Sequence, residues 1–178
     1  MEIKTVLLDA LAIERALKRI SHEIIETNKG VKNVVLLGIA KGGIPVCDKL
    51  AENIFNIEKV KVPVGILDVS LYRDDRNVTD NEKLNESQIG FSLQDKDVVL
   101  CDDVLFTGRT VRAGIEAIIK LGRPKTIQLA VLIDRGHREL PIRADYVGKN
   151  VPTSHDEIVR VTFEDNFGDK AVILDGVK

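Results

Sequence analysis

Asp102 and Asp103 stand side by side at the end of a four-residue apolar run, Val98-Val99-Leu100-Cys101. The loop Val104-Leu105-Phe106-Thr107-Gly108-Arg109-Thr110 follows them. Adjacent carboxylates accept hydrogen bonds from vicinal hydroxyls, such as those of a sugar ring. The apolar run has the character of a buried parallel strand. After the loop, Val111, Ile115, Ile118 and Ile119 recur at helical spacing until Gly122 and Pro124 close the helix. A helix N-terminus attracts phosphate, a glycine lets the backbone approach it, and the hydroxyls of Thr107 and Thr110 donate to its oxygens. The constellation suits a ribose 5-phosphate. An isolated acidic pair ordinarily does no more than end a strand, so the weight rests on strand, pair, loop and helix being in register. Neither a Gly-x-x-x-x-Gly-Lys-Ser/Thr loop nor a Gly-x-Gly-x-x-Gly turn occurs.

A second candidate is Gly38-Ile39-Ala40-Lys41-Gly42-Gly43, between an apolar run and a helical pattern. Consecutive glycines expose amides and Lys41 adds a positive charge, which fits a diphosphate. A plain strand–helix turn uses glycine as often, and only the neighbouring phosphate loop favours the diphosphate role. A third segment, Asp68 to Arg76, carries Arg73 and Arg76, which can reach over a diphosphate and exclude water.

These loops need a scaffold, and the periodicity supplies one. A first amphipathic helix is expected from Asp9, its N-cap, to Asn28, with Gly30 as the stop. Val34 to Ile39 is a buried strand, Ile44 to Phe55 a helix, and Val60 to Leu71 a long strand with Pro63 near its start. Residues 72–94 lose periodicity, as a functional lid does. Thr126 to Ile133, a short stretch around Tyr146, and the pair Ile158–Phe163 and Ala171–Leu174 complete the strands. The alternation predicts an α/β doubly wound domain with a mainly parallel sheet, helices on both faces, and ligands at the carboxyl ends of its strands.

Composition sets bounds. With 178 residues, 44% hydrophobic and 30% charged, the chain can bury a core as one domain. The net charge of −2 excludes a general attraction to polyanions, so any nucleic-acid surface must be a local patch. No long apolar run or basic-then-apolar leader occurs, so membrane and secretion are not expected. Cys47 and Cys101 lie inside apolar patterns without metal-ligand spacing, and are expected as buried thiols in a reducing cytoplasm. A patch is available on the first helix, where Ile13, Ala16, Leu17, Ile20 and Ile24 form the buried stripe. Arg15, Lys18, Arg19 and His22 share another face. Arg138, Arg143 and Lys149 add cations from a later loop. A solvated helix face explains such a pattern equally. RNA phosphates would fit it, with arginines stacking on bases because aromatic residues are few.

The segment from Val98 to Thr110 resembles the phosphoribosyl-pyrophosphate (PRPP) motif of type I phosphoribosyltransferases. Together with Leu71-Tyr72-Arg73-Asp74-Asp75, the first helix, and Ile133-Asp134-Arg135-Gly136-His137-Arg138-Glu139-Leu140-Pro141, it resembles the PyrR family over nearly the whole chain. The resemblance implies a bacterial regulator that binds the leader messenger RNA of pyrimidine genes under control of uridine and guanosine nucleotides (GMP or GTP). It also implies transfer of phosphoribosyl from PRPP to uracil, giving UMP and pyrophosphate. On that basis one phosphoribosyltransferase domain spans 1–178, with a lid at 72–94 and a small hood from the N-terminal helix and 134–178. Mg²⁺ would ride mainly on PRPP rather than on a dedicated protein site. Asp102 and Asp103 would hold the ribose, 104–110 the 5-phosphate, and Lys41, Gly42, Gly43 and Arg73 the pyrophosphate. Asp134, Arg135 and Gly136 with Lys149, Asn150 and Val151 would orient the base, chiefly through backbone groups. Assembly as a homodimer or larger is implied too.

The family usually carries Thr-Arg-Gly where this chain has Lys41-Gly42-Gly43, a variant similar to the hypoxanthine-guanine enzymes, which share the Asp145-Tyr146-Val147-Gly148 stretch. Those enzymes place an aromatic next, where this chain has Lys149, and end in an acidic-aromatic tail that Asn166-Phe167-Gly168-Asp169 does not reproduce. A purine phosphoribosyltransferase and an RNA-binding regulator with an inactive, nucleotide-sensing pocket are the alternatives.

Overall fold

Alternating apolar positions on the central strands decide how the layers form. In the computed structural model, which describes residues 3–72, 88–163 and 169–174, five strands form one all-parallel sheet. They are β2 (Val34–Ile39), β3 (Val64–Leu67), β4 (Asp97–Leu105), β5 (Thr126–Asp134) and β6 (Tyr146–Asn150), in the order β3-β2-β4-β5-β6. Val34, Leu36, Val99, Cys101, Ala130 and Leu132 face one side, against α1 (Ala10–Thr27) and α2 (Gly43–Glu58). Val35, Leu37, Val98, Leu100, Leu129 and Val131 face the other, against α3 (Arg109–Leu121). A strand covered on both faces has no polar side, which is why these runs are continuously apolar.

The expected first helix is present: Asp9 caps it by accepting from the Ala12 amide at 2.8 Å, and the predicted stripe is its buried face. That stripe puts α1 on the sheet beside α2. The helix is preceded by β1 (Ile3–Leu8), a strand the periodicity did not announce. β1 pairs antiparallel with β8 (Lys170–Leu174), which pairs with β7 (Ile158–Thr162) in a separate three-stranded sheet.

The long strand expected over Val60 to Leu71 is only Val64–Leu67. Lys59 ends α2 in the left-handed region at φ 58°, and Pro63 brings no amide to the ladder. After Leu67, Asp68 Oδ1 accepts from the amide of Ser70 at 2.8 Å and from its hydroxyl at 2.6 Å. That Asx turn bends the chain into a 3-10 turn over Ser70–Tyr72. The predicted lid at 72–94 falls mostly outside the described residues. Gln88 exchanges both backbone hydrogen bonds with Ile66. Among the described residues no helix is long and apolar enough to cross a membrane.

Candidate active site

The sheet order reverses between β2 and β4, because the chain runs from β2 outward to β3 and then back to the other side of β2. Ligands of open parallel sheets lie at such a reversal, beyond the strand ends. The two glycine-bearing loops leave the sheet there, one from β2 and one from β4. A cleft of about 340 Å³ is lined by Ala40, Lys41, Gly42, Asp68, Ser70, Asp102, Asp103 and Thr110. A second, of about 280 Å³, shares Asp102, Val104 and Thr110 and continues over Leu105 to Val111 and Glu139. The structure thus brings both sequence-predicted loops to one place.

Packing explains the glycines of the first loop. A Cβ on Gly43 would stand 2.1 Å from the carbonyl oxygen of Cys101, and one on Gly42 would stand 2.5 Å from the Asp103 carboxyl. Only hydrogen at these positions lets the start of α2 lie against the end of β4. Lys41 is exposed at the rim of the cleft, after a cis Ala40–Lys41 peptide.

The acidic pair lies within β4, whose strand runs two residues further to Leu105. Asp102 is buried, and its Oδ1 accepts from the Asp103 amide at 3.0 Å. Asp103 accepts from the Val104 amide at 2.8 Å. Desolvation by burial raises the Asp103 carboxyl above its ordinary value, opposed by that backbone hydrogen bond.

In the second loop, Gly108 takes φ 92°, a region side chains avoid, and turns the chain into α3. The Thr107 hydroxyl accepts from the Arg109 amide at 3.3 Å. The Thr107 carbonyl accepts from the amides of Glu139 at 2.9 Å and Leu140 at 3.2 Å, and Arg109 pairs with Glu139. The loop is therefore tied to the segment after β5, which was not anticipated.

The residues expected around a base have other partners. Arg135 is 5% exposed, with its guanidinium carbon 4.0 Å from the centroid of the Phe106 ring. It donates to Thr153 Oγ1 at 3.2 Å and to the Ser154 carbonyl at 2.9 Å, and desolvation lowers its pKa. The side chain is a strut between the loop after β4 and residues 153–155. The amide of Arg135 donates to Leu105, that of Gly136 to Asp134 Oδ1 and that of Val151 to Asp134, so three expected base-orienting donors serve the fold. Lys149 and Asn150 are exposed at the end of β6, and Lys149 Nζ donates to the Leu7 carbonyl at 3.0 Å.

Sequence reasoning missed an aromatic group here: Phe106, His137 and His155 meet edge to face at 5.5 to 6.0 Å between centroids. In the third predicted segment it singled out Arg73 and Arg76, whereas Asp68 and Ser70 of that segment are the ones that line the cleft. The Asp-x-Ser spacing after a strand is an Asx-turn signature that points to them.

On the first helix Arg15, Lys18, Arg19 and His22 are exposed, as is Arg143 further on. Arg19 is not free of the fold: it donates to the carbonyls of Val147 at 3.0 Å and Gly148 at 2.8 Å and pairs with Glu23. Arg138, expected as a surface cation, is half-buried. Its guanidinium pairs with Asp134 and donates to the carbonyls of Phe106 at 2.8 Å and Ile142 at 2.9 Å. Arg73 lies outside the described residues.

A parallel sheet of this order, with an acidic strand end and a hydroxyl–glycine loop opening a helix at the reversal, defines a type I phosphoribosyltransferase. The family described as the phosphoribosyl transferase domain matches residues 5–165. Two proteins named Bifunctional protein PyrR are each 57% identical to this chain. The one from Caldicellulosiruptor bescii aligns over 95% of this chain and 93% of its own length. The one from Clostridium novyi aligns over 97% of each. The chain belongs to the PyrR family of phosphoribosyl transferases. Among solved structures, a hypoxanthine phosphoribosyltransferase of Staphylococcus aureus superposes with a TM-score of 0.68 at 28% identity, covering 88% of this chain and 80% of that one. A hypoxanthine-guanine phosphoribosyltransferase of Bacillus anthracis reaches a TM-score of 0.74 over 98% of this chain and 100% of that one. At 20% identity it shows the shared fold alone.

Proposed function

We propose that this chain transfers the phosphoribosyl group of PRPP to uracil, forming UMP and pyrophosphate, and binds the leader RNA of pyrimidine messages. The observation that carries the catalytic half is the meeting of the Lys41–Gly43 loop with Asp102 and Asp103 in one cleft continuous with the Thr107–Thr110 loop. The 5-phosphate sits at the N-terminus of α3, against the amides and hydroxyls of 107–110. Asp102 and Asp103 accept from the ribose hydroxyls and hold the anomeric carbon toward the first loop. As the bond from that carbon to the diphosphate oxygen breaks, negative charge grows on the leaving group, where Lys41 and the start of α2 meet it. Uracil nitrogen attacks the opposite face of the carbon and its proton passes to solvent.

Mg²⁺ fits this donor set as a substrate-borne ion, because Asp68 and Asp103 line the cleft without closing a cage around it. Bound with PRPP, the ion neutralises the diphosphate. Uracil is favoured over a purine because the residue after Asp145-Tyr146-Val147-Gly148 is Lys149, which turns to the Leu7 carbonyl and offers no ring for stacking. The exposed cations of α1 support the RNA half through phosphate contacts.

Uracil and hypoxanthine offered together with PRPP and Mg²⁺ test the enzymatic reading. UMP is the expected product, and inosine monophosphate without UMP would overturn it.

A further inference from the structure

Cys101 immediately precedes Asp102 on β4, and Cys47 lies in the second turn of α2. Both are buried, and the reaction above uses neither. Gly38 on β2 is the cross-strand partner of Cys101, and a Cβ on Gly38 would stand 3.1 Å from that of Cys47. The glycine therefore leaves the space in which Cys47 comes down onto the sheet beside Cys101. Both cysteines belong to the same buried layer on that side of the sheet. The neighbouring Cys47 and burial hold the Cys101 thiol well above its usual range. Cys101 also donates to the Val99 carbonyl at 3.6 Å. Buried cysteines are ordinarily inert for want of access. Here a crevice of about 210 Å³, lined by Ile44, Cys47, Asp48, Gly65, Ile66 and Gln88, runs between α2 and the edge strand β3. Asp48 and Gln88 are exposed at its mouth, and its size admits a molecule as small as hydrogen peroxide.

We propose that Cys47 and Cys101 are a reversible oxidation site, in which a small peroxide closes a disulfide that disables the cleft in front of it. The Cys47 sulfur attacks one peroxide oxygen. A sulfur–oxygen bond forms, the oxygen–oxygen bond breaks, and the departing oxygen leaves as water with the thiol proton. The Cys101 sulfur then attacks the sulfenic sulfur. The sulfur–sulfur bond forms, the sulfur–oxygen bond breaks, and hydroxide leaves as a second water with the Cys101 proton. The two thiols supply the two electrons that reduce the peroxide, and an external dithiol reverses the step by exchange. Transient disulfides of this kind are the sort that occur in reducing compartments.

The bond reaches the cleft because the packing there has no slack. Gly43 lies on the Cys101 carbonyl and Gly42 on the Asp103 carboxyl. Drawing Cys47 and Cys101 to bonding distance moves the first turn of α2 against the end of β4. The Lys41–Gly43 loop and the acidic pair cannot both keep their places.

The test takes the reduced full chain, treats it with hydrogen peroxide, and measures intact mass, a peptide map and PRPP-dependent activity before and after dithiothreitol. The expected result is a mass lowered by two hydrogens and a cross-linked pair of peptides containing Cys47 and Cys101. Activity should fall roughly a hundredfold, the scale of an ångström misplacement in an active site, and return with dithiothreitol. Cys47→Ala and Cys101→Ala should start with ordinary activity and keep it through the same treatment, their near-ultraviolet circular dichroism confirming the fold. Oxygen added to Cys47 without a cross-link, a cross-link that leaves activity intact, or equal loss in Cys47→Ala would each overturn the proposal. The cross-link is scored by mass, so its failure is distinguishable from an error about the base that the enzyme accepts.

Discussion

The Asp103 carboxyl accepts one backbone amide, lies against Gly42 and is largely withdrawn from water, so ionising it is harder in the folded chain than in the unfolded one. As pH rises from the ordinary carboxylate range to the raised folded value, the unfolded state loses this proton first. Stability falls through that window, and the cost is fully present above it. The same ionisation is what a ribose hydroxyl needs, so PRPP affinity is expected to rise over the window in which stability falls. Asp103→Asn removes the charge and keeps the shape. It should unfold at higher urea concentration than the parent at neutral pH, while PRPP use weakens by about 1.5–3 kcal/mol, the worth of a charged acceptor. Normal turnover at low PRPP would show that Asp103 does not hold the ribose. Gly43→Ala is the steric counterpart. Its methyl meets the Cys101 carbonyl, and overpacking of that kind costs about 1–3 kcal/mol, read as a lower urea midpoint together with loss of PRPP binding.

At the scale of elements, α1 serves two faces. Its apolar stripe is buried on the sheet, and its exposed side carries Arg15, Lys18, Arg19 and His22. Arg19 also bonds β6 through Val147 and Gly148, so removing it mixes any loss of RNA affinity with loss of packing. The same holds for Arg138, which knits Asp134 to Phe106. Arg15→Ala and Lys18→Ala isolate the electrostatic effect. Each should lower affinity for a pyrimidine leader hairpin and flatten the salt dependence by about one unit of log–log slope, with UMP synthesis intact. Filter binding across a salt series reads both quantities, and unchanged affinity and slope in both variants would remove α1 from the RNA surface.

For the whole molecule, the cleft is assembled from loops that follow different strands and from the segment after β5, which anchors the Thr107–Thr110 loop through Glu139 and Leu140. A ligand bridging those pieces binds the folded chain and not the unfolded one. UMP at a hundred times its dissociation constant should therefore add about 2.7 kcal/mol of stability. For a domain of this size that is a rise in melting temperature of roughly 5–10 °C. Thermal scans over a UMP series check it, and a melting point indifferent to UMP would place the nucleotide elsewhere.

What could be known from the sequence is what depends on neighbours along the chain. The run from Val98 through the loop to Leu121 was legible because strand, acidic pair, glycine turn and helical stripe are consecutive, and each imposes its own period. Asp9 as a cap and the stripe of α1 were legible for the same reason. β1 was not, because only Leu8 in it is buried and its partner β8 is at the other end of the chain. Val60 to Leu71 carries strand-forming residues throughout, but Pro63 and the Asx turn at Asp68 confine the pairing to four of them. Arg135 and Arg138 show why charge alone misleads. In sequence Arg135 belongs to a base-binding segment and Arg138 to a basic RNA-facing patch, and only the close approach of Phe106, Thr153 and Asp134 gives each a structural partner. The approach of Gly42 to Asp103, and the seating of Cys47 over Gly38 beside Cys101, exist only because the sheet order sets β2 beside β4. That order is set by burial of both sheet faces across the whole domain, and no local pattern encodes it.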